Sequence, residues 1–210
     1  MKAKDNPFSV DRIQRIRYRP QEGDWDELCN RLENLNYRAA IVGPHGFGKS
    51  TLLEDIGERL DAQGFECKHL RLNEETPRFD QTFLHEFFAT LDNRDMILFD
   101  GAELLSWLAW RRFLSQSRNS AGLIITTHQP CRLPVLLTCE TSVQLLREII
   151  HELAGEMPTV RESFVDDLYE RHQGNLRDAL REMYDCFARK TTITESSTGV
   201  HNHYVESILI

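Results

Sequence analysis

The stretch Gly43-Pro44-His45-Gly46-Phe47-Gly48-Lys49-Ser50, followed by Thr51, constrains this 210-residue chain more than any other. The apolar run Ala39-Ala40-Ile41-Val42 precedes it, and Leu52, Leu53, Ile56 and Leu60 follow at helical spacing up to Gly64. A G-x-x-x-x-G-K-[ST] pattern between a buried strand and a helix is a phosphate cradle. Its glycines let successive backbone N–H groups turn inward, and the helix N-terminus adds partial positive charge. Lys49 is suited to reach the β and γ phosphates, and the Ser50 hydroxyl to ligate Mg²⁺. ATP and Mg²⁺ are the expected cofactors, with Gly43 through Thr51 as the binding loop.

The rest of the pattern predicts an α/β fold. Phe65 to Leu72, Met96 to Phe99, Leu123 to Thr126 and Val135 to Leu137 read as further strands. Phe83, Leu84, Phe87, Phe88 and Leu91 form a helical stripe between them, and Leu104 to Phe113 form another. Continuous apolar strands alternating with helices predict a five-stranded parallel sheet in a three-layer P-loop NTPase core, residues 37–141. After Thr141 the strand signal stops. Helices over Val143–Leu153, Val160–Arg171 and Leu176–Arg189 predict a small all-α lid, residues 142–190. Residues 1–36 read as an extended segment and a helix with Trp25, Leu28, Cys29 and Leu32 on one face. Residues 191–210 read as a poorly ordered tail, where the pair His201 and His203 carries no metal expectation.

Asp100 closes the strand Met96-Ile97-Leu98-Phe99, which places it where ligands of open α/β sheets collect. It is the expected Mg²⁺ partner of Ser50. Glu103 either orients or deprotonates an attacking water or is a first-turn carboxylate favouring a helix N-terminus. Trp107 and Trp110 read as core or interface packing rather than a cofactor stack.

Composition narrows the setting. A net charge of −8 argues against a basic coat for nonspecific nucleic-acid binding. Arg12, Arg15, Arg17 and Arg19 form a local basic patch, either solvated and paired with the acidic body or touching nucleic acid. No apolar run approaches the length of a membrane span, and no apolar stretch follows Lys2 and Lys4, so no membrane insertion and a cytoplasmic location are expected. Five unpatterned cysteines suit reduced thiols.

The loop, strand aspartate and helical lid together resemble the AAA+ and STAND class of P-loop ATPases, and small ATPase helpers of transposition and secretion systems, over about residues 6–190. The resemblance implies that Thr127, among Thr126-Thr127-His128, is a polar sensor of the γ-phosphate. It implies that Arg177 of Gly174-Asn175-Leu176-Arg177 reaches the nucleotide from the lid, and that Asn6-Pro7-Phe8 closes an adenine pocket. The implied activity is Mg²⁺-dependent ATP hydrolysis using Lys49, Glu103, Thr127 and Arg177. The same resemblance implies a nucleotide-controlled switch acting on a protein partner.

Two features depart from that class. Gly101 stands where brisk hydrolases carry Glu, which implies slow turnover, and Arg132 is the single candidate for a trans-acting arginine before the fifth strand. A small-molecule kinase and a DNA-associated ATPase helper are the alternative functions.

Overall fold

The computed structural model describes residues 6–21, 23–130, 132–155 and 160–195, with side chains through 189. His201, His203, Cys131 and the expected tail from 196 onward lie outside the described residues. In chain order the elements are α1 (Val10–Ile13), α2 (Trp25–Asn34), β1 (Arg38–Val42), α3 (Lys49–Ala62) and β2 (Glu66–Arg71). There follow α4 (Gln81–Ala89), β3 (Asp95–Asp100), α5 (Trp107–Gln116), β4 (Gly122–Thr127) and β5 (Val135–Thr138). The last three are α6 (Val143–Ala154), α7 (Glu162–Arg171) and α8 (Leu176–Glu195). The described residues form two compact units: those within Arg17–Pro44 and Gly48–Cys139, and those up to Ile16 with His45–Phe47 and from Glu140 onward.

The first unit is the five-stranded sheet, ordered β2-β3-β4-β1-β5 with every pair parallel. Ala39, Ile41, Ile97, Phe99, Leu123 and Ile125 have no solvent exposure. Strands covered on both faces lose the apolar-polar alternation, which is why they read as unbroken apolar runs. One face packs against Trp110 and Phe113 of α5 and against Phe87 and Phe88 of α4. On the other, α3 approaches β3 so closely that a methyl at Gly57 would lie 2.6 Å from Leu98 Cδ1. Leu28 and Leu32 of α2 line a small cavity with Ile56 and Leu60 of α3, so these two helices share a layer. The result is three layers.

Local chemistry starts each helix. Asp24, Asp80, Ser106 and Ser142 cap α2, α4, α5 and α6 by accepting backbone N–H bonds in the first turn. The N–H groups of Phe83 and Thr82 hold the Asp80 carboxyl below the usual carboxylate range.

The second unit is helical. Phe8, Leu146, Leu168, Met183 and Phe187 belong to its core, with Phe8 and Phe187 ring centroids 5.1 Å apart. Burying each such side chain contributes about 1.5–3 kcal/mol. Three boundaries differ from expectation. The expected extended segment begins in α1, because the Ser9 carbonyl accepts from Arg12 and Ile13 N–H while Ile13 packs on this core. Helix α7 starts at Glu162, after an isolated bridge at the buried Val160. Helix α8 continues to Glu195, since no Gly or Pro interrupts it. No helix among the described residues is long and apolar enough to cross a membrane.

Candidate nucleotide site

Parallel strands bring the ends of β1, β3 and β4 to one edge of the sheet. Val42 pairs with Thr127, and the Gly43 N–H donates to the Thr127 carbonyl at 3.2 Å. Helix α3 begins at Lys49 without a side-chain cap, so its first N–H groups belong to the loop. Lys49, 8% exposed, donates from Nζ to the Gly43 and Pro44 carbonyls at 2.7 and 2.8 Å. These dipoles hold the ammonium at the base of the loop. Thr51 is half-buried in the first turn of α3, and His45 is exposed.

Asp100 is the hub. Ser50 Oγ donates to its Oδ2 at 2.8 Å, and Thr126 Oγ1 donates to its Oδ1 at 2.6 Å. Thr126 Oγ1 in turn accepts from Gly101 N–H at 2.9 Å, and Arg71 Nε lies 3.6 Å from Oδ2. This contact exists because β4 lies between β1 and β3. Of the two threonines, Thr127, the expected sensor, donates from Oγ1 to the Gln129 carbonyl at 2.9 Å, and Thr126 meets Asp100. Alternation along a strand sends adjacent side chains to opposite faces, so only one threonine of the pair can do so.

Gly101 has no room for a side chain. Its φ is +86°, and a methyl there would strike the Leu72 carbonyl oxygen, so no glutamate fits at this position. The left-handed turn leads into a short 3-10 helix, Ala102–Leu104, that carries Glu103. Glu103 Oε1 lies 3.2 Å from His128 Nε2, and its Oε2 is buried with no hydrogen-bond partner among the described residues. Arg132 is occupied within its own chain: Nη2 donates to the Leu105 carbonyl at 2.6 Å, and the guanidinium lies 5.2 Å from the Trp110 ring centroid.

Sequence reasoning missed Asp55, a 6%-exposed carboxylate in α3. It accepts from Arg17 Nη1 at 2.7 Å and Tyr18 N–H at 2.6 Å, and Arg17 also meets Glu58 at 2.7 Å. Glu58 and Asp55 raise the Arg17 pKa further above its ordinary value. The basic patch is therefore divided, with Arg17 neutralised on α3 and Arg12 donating to the Leu153 carbonyl in the helical unit. The clamp sets the Tyr18 ring beside Gly48, 3.5 Å from where a methyl would stand. An acid among Leu52, Leu53 and Ile56 was the available signal. Behind the loop, burial pushes the Cys139 thiol up to about 11, which keeps it protonated.

His45–Phe47, at the tip of the loop, belong to the helical unit. Gly46 lies directly against Asn175, whose side chain leaves no room for a methyl, and Phe47 lies against Gly174. Asn175 Oδ1 accepts from Asp178 N–H at 3.1 Å, capping the start of α8. Arg177 is exposed, and among the described residues Asp178 bonds Asn175 while Glu182 bonds Arg171 and His172. Asn6 donates to the Tyr184 carbonyl, and Phe8 is 1% exposed in the helical core.

The sequence matches no protein-family model and no curated protein. The fold does have solved counterparts. A mutant form of RuvB from Thermotoga maritima superposes at TM-score 0.60 with 18% identity, covering 80% of this chain and 62% of that one. The Thermotoga maritima RuvB Holliday junction branch migration motor superposes at TM-score 0.59 with 20% identity, covering 90% and 67%. This chain spans about three-fifths to two-thirds of the length of those structures. Sheet order, loop position and superposition together give the chain the three-layer α/β fold with a five-stranded parallel sheet that those structures share.

Proposed function

We propose that the chain binds ATP with Mg²⁺ and hydrolyses it slowly, as an AAA+-type switch acting on a protein partner. The observation that carries this reading is the chain Ser50 Oγ to Asp100 to Thr126 Oγ1 beside Lys49 at an uncapped helix start. One hydroxyl and one carboxylate are hard oxygen donors of the kind Mg²⁺ prefers, so the residues fit the ion. Ser50 would hold it directly and Asp100 through water. Bound nucleotide and metal supply the phosphoryl group and its charge neutralisation.

The chain's own residues do the rest. Lys49 places a positive charge at the loop, and the α3 N-terminus adds its dipole toward an anion. Glu103, held by His128 and with its second oxygen unpartnered among the described residues, orients the attacking water. Its position on a turn beyond Gly101 supports slow hydrolysis. Thr126 keeps Asp100 in place. The second-sensor role of Arg177 rests on the sequence resemblance and on its exposure.

Calorimetric titration with MgATP and MgGTP tests the reading. Lys49→Ala should lose more than about 100-fold in affinity, the effect of removing charge-assisted bonds to phosphate at about 1.5–3 kcal/mol each. Glu103→Gln should bind normally and turn over at least about 10-fold more slowly. Absence of nucleotide binding by the unmodified chain would end the proposal. A DNA-motor reading, prompted by the likeness to the RuvB branch migration motor, has less support here because Arg17 is neutralised and the net charge is −8.

A further inference from the structure

Helix α5 has an inner and an outer face that differ completely. Trp110 and Phe113 are buried in the sheet core, whereas Trp107 and Leu108 are 64% and 72% exposed. Of the five large apolar side chains exposed among the described residues, three fall together: Leu104, Trp107 and Leu108. One turn further along, at i+4 from Trp107 and Leu108, stand the exposed Arg111 and Arg112. The Arg111 guanidinium lies 4.9 Å from the Trp107 ring centroid, which orders that ring at the surface. Helix α5 contains no carboxylate, and neither arginine has an ion pair among the described residues. This is an apolar and cationic face on a chain of net charge −8.

We propose that the outer face of α5, with Leu104, docks an acidic amphipathic helix of a partner protein. The proposal rests on the partner clause of the reading above and names the partner's chemistry. Exposed Trp and Leu beside Arg have the composition of interface hot spots, where burying each apolar side chain contributes about 1.5–3 kcal/mol. Charge complementarity selects the occupant. A helix with leucines on one face and carboxylates beside them satisfies both halves of the patch. Duplex DNA would meet the arginines but leave Trp107 and Leu108 in water, and a second copy would bring the same two arginines against them. Leu104 shares its 3-10 turn with Glu103, so an occupant there bears on the Glu103–His128 pair.

The test is fluorescence anisotropy of a labelled synthetic helix of leucine and glutamate, titrated with the full chain without nucleotide. A counterpart carrying lysine for glutamate is titrated in parallel. The acidic helix should bind at least about 10-fold more tightly than its counterpart, and more weakly as salt rises. Trp107→Ser with Leu108→Ser should weaken it at least about 10-fold. Arg111→Glu with Arg112→Glu should reverse the preference toward the lysine helix, so the proposal stands testable if the first variant fails to fold. Equal binding of both helices, or affinity unchanged in both variants, overturns it. So does displacement of the acidic helix by duplex DNA, or self-association that Trp107→Ser abolishes. MgATP titration of the same variants separates the two proposals: nucleotide binding should be unchanged in them, and its absence from the unmodified chain would strike only the nucleotide reading.

Discussion

The sheet unit and the helical unit treat polar groups in opposite ways. The sheet unit buries Lys49, Asp55, Asp95, Thr126 and Thr127, each under 9% exposed, at strand ends or along α3. Among the described residues of the helical unit, Asn6 alone is a buried polar residue, while ion pairs such as Arg171–Glu182 remain partly exposed. Burying a charge costs several kcal/mol unless it is paired, so the first arrangement exists only where a network holds it. The contrast separates a unit organised around chemistry from one organised around packing.

Mutations that act on packing and on polar networks should therefore rank differently in the two units. Leu146→Ala, at a site without exposure in the helical core, should cost about 2–5 kcal/mol by urea unfolding, the largest loss expected in that unit. Gly101→Ala should cost about 1–3 kcal/mol, since the residue must hold φ near +86° and meet the Leu72 carbonyl. A smaller loss there would mean that the turn carrying Glu103 relaxes, and turnover should then fall as well.

Asp55→Asn should cost about 1.5–3 kcal/mol, because the Arg17 and Tyr18 donors lose a charged acceptor. If that substitution proved neutral, the polar network would not be what holds the sheet unit together. The smallest effect should come from Glu182→Gln, below about 1 kcal/mol for a pair this exposed. Burial raises the Glu182 carboxyl, but His172 and Arg171 outweigh it and hold it below its ordinary value. Its contribution is therefore present above the ordinary glutamate pKa and is lost as pH falls through the depressed one. Unfolding measured across the acid range should show that dependence weakened in the variant.

The fold was largely legible because its signals are local. Met96–Phe99 and Leu123–Ile125 read as buried strands from their unbroken apolar runs, and the structure has β3 and β4 there. The stripe containing Phe83 and Phe87 marked α4 in the same way. Legibility ended where pairing began. Thr126 and Thr127 are adjacent and chemically alike, and the choice between them depends on which strand neighbours β3. Asp55 lay inside an apolar stripe, but its partners Arg17 and Tyr18 are distant in the chain, so no spacing pointed to them. Trp107 and Trp110 likewise looked equivalent until the sheet claimed one and left the other in solvent.

By itself the sequence determined the glycine-rich loop between strand and helix, the strand aspartate and the alternation of strands with helices. Each of these is set by neighbours along the chain: a glycine's freedom, a lysine's reach, the period of apolar residues. Only the tertiary structure decided that β4 lies beside β3, that Thr126 holds Asp100, that Gly101 has no room for a side chain and that Trp107 faces outward. Those outcomes depend on sheet order and on which surfaces meet, and non-local contacts of that kind leave no periodic trace in the chain.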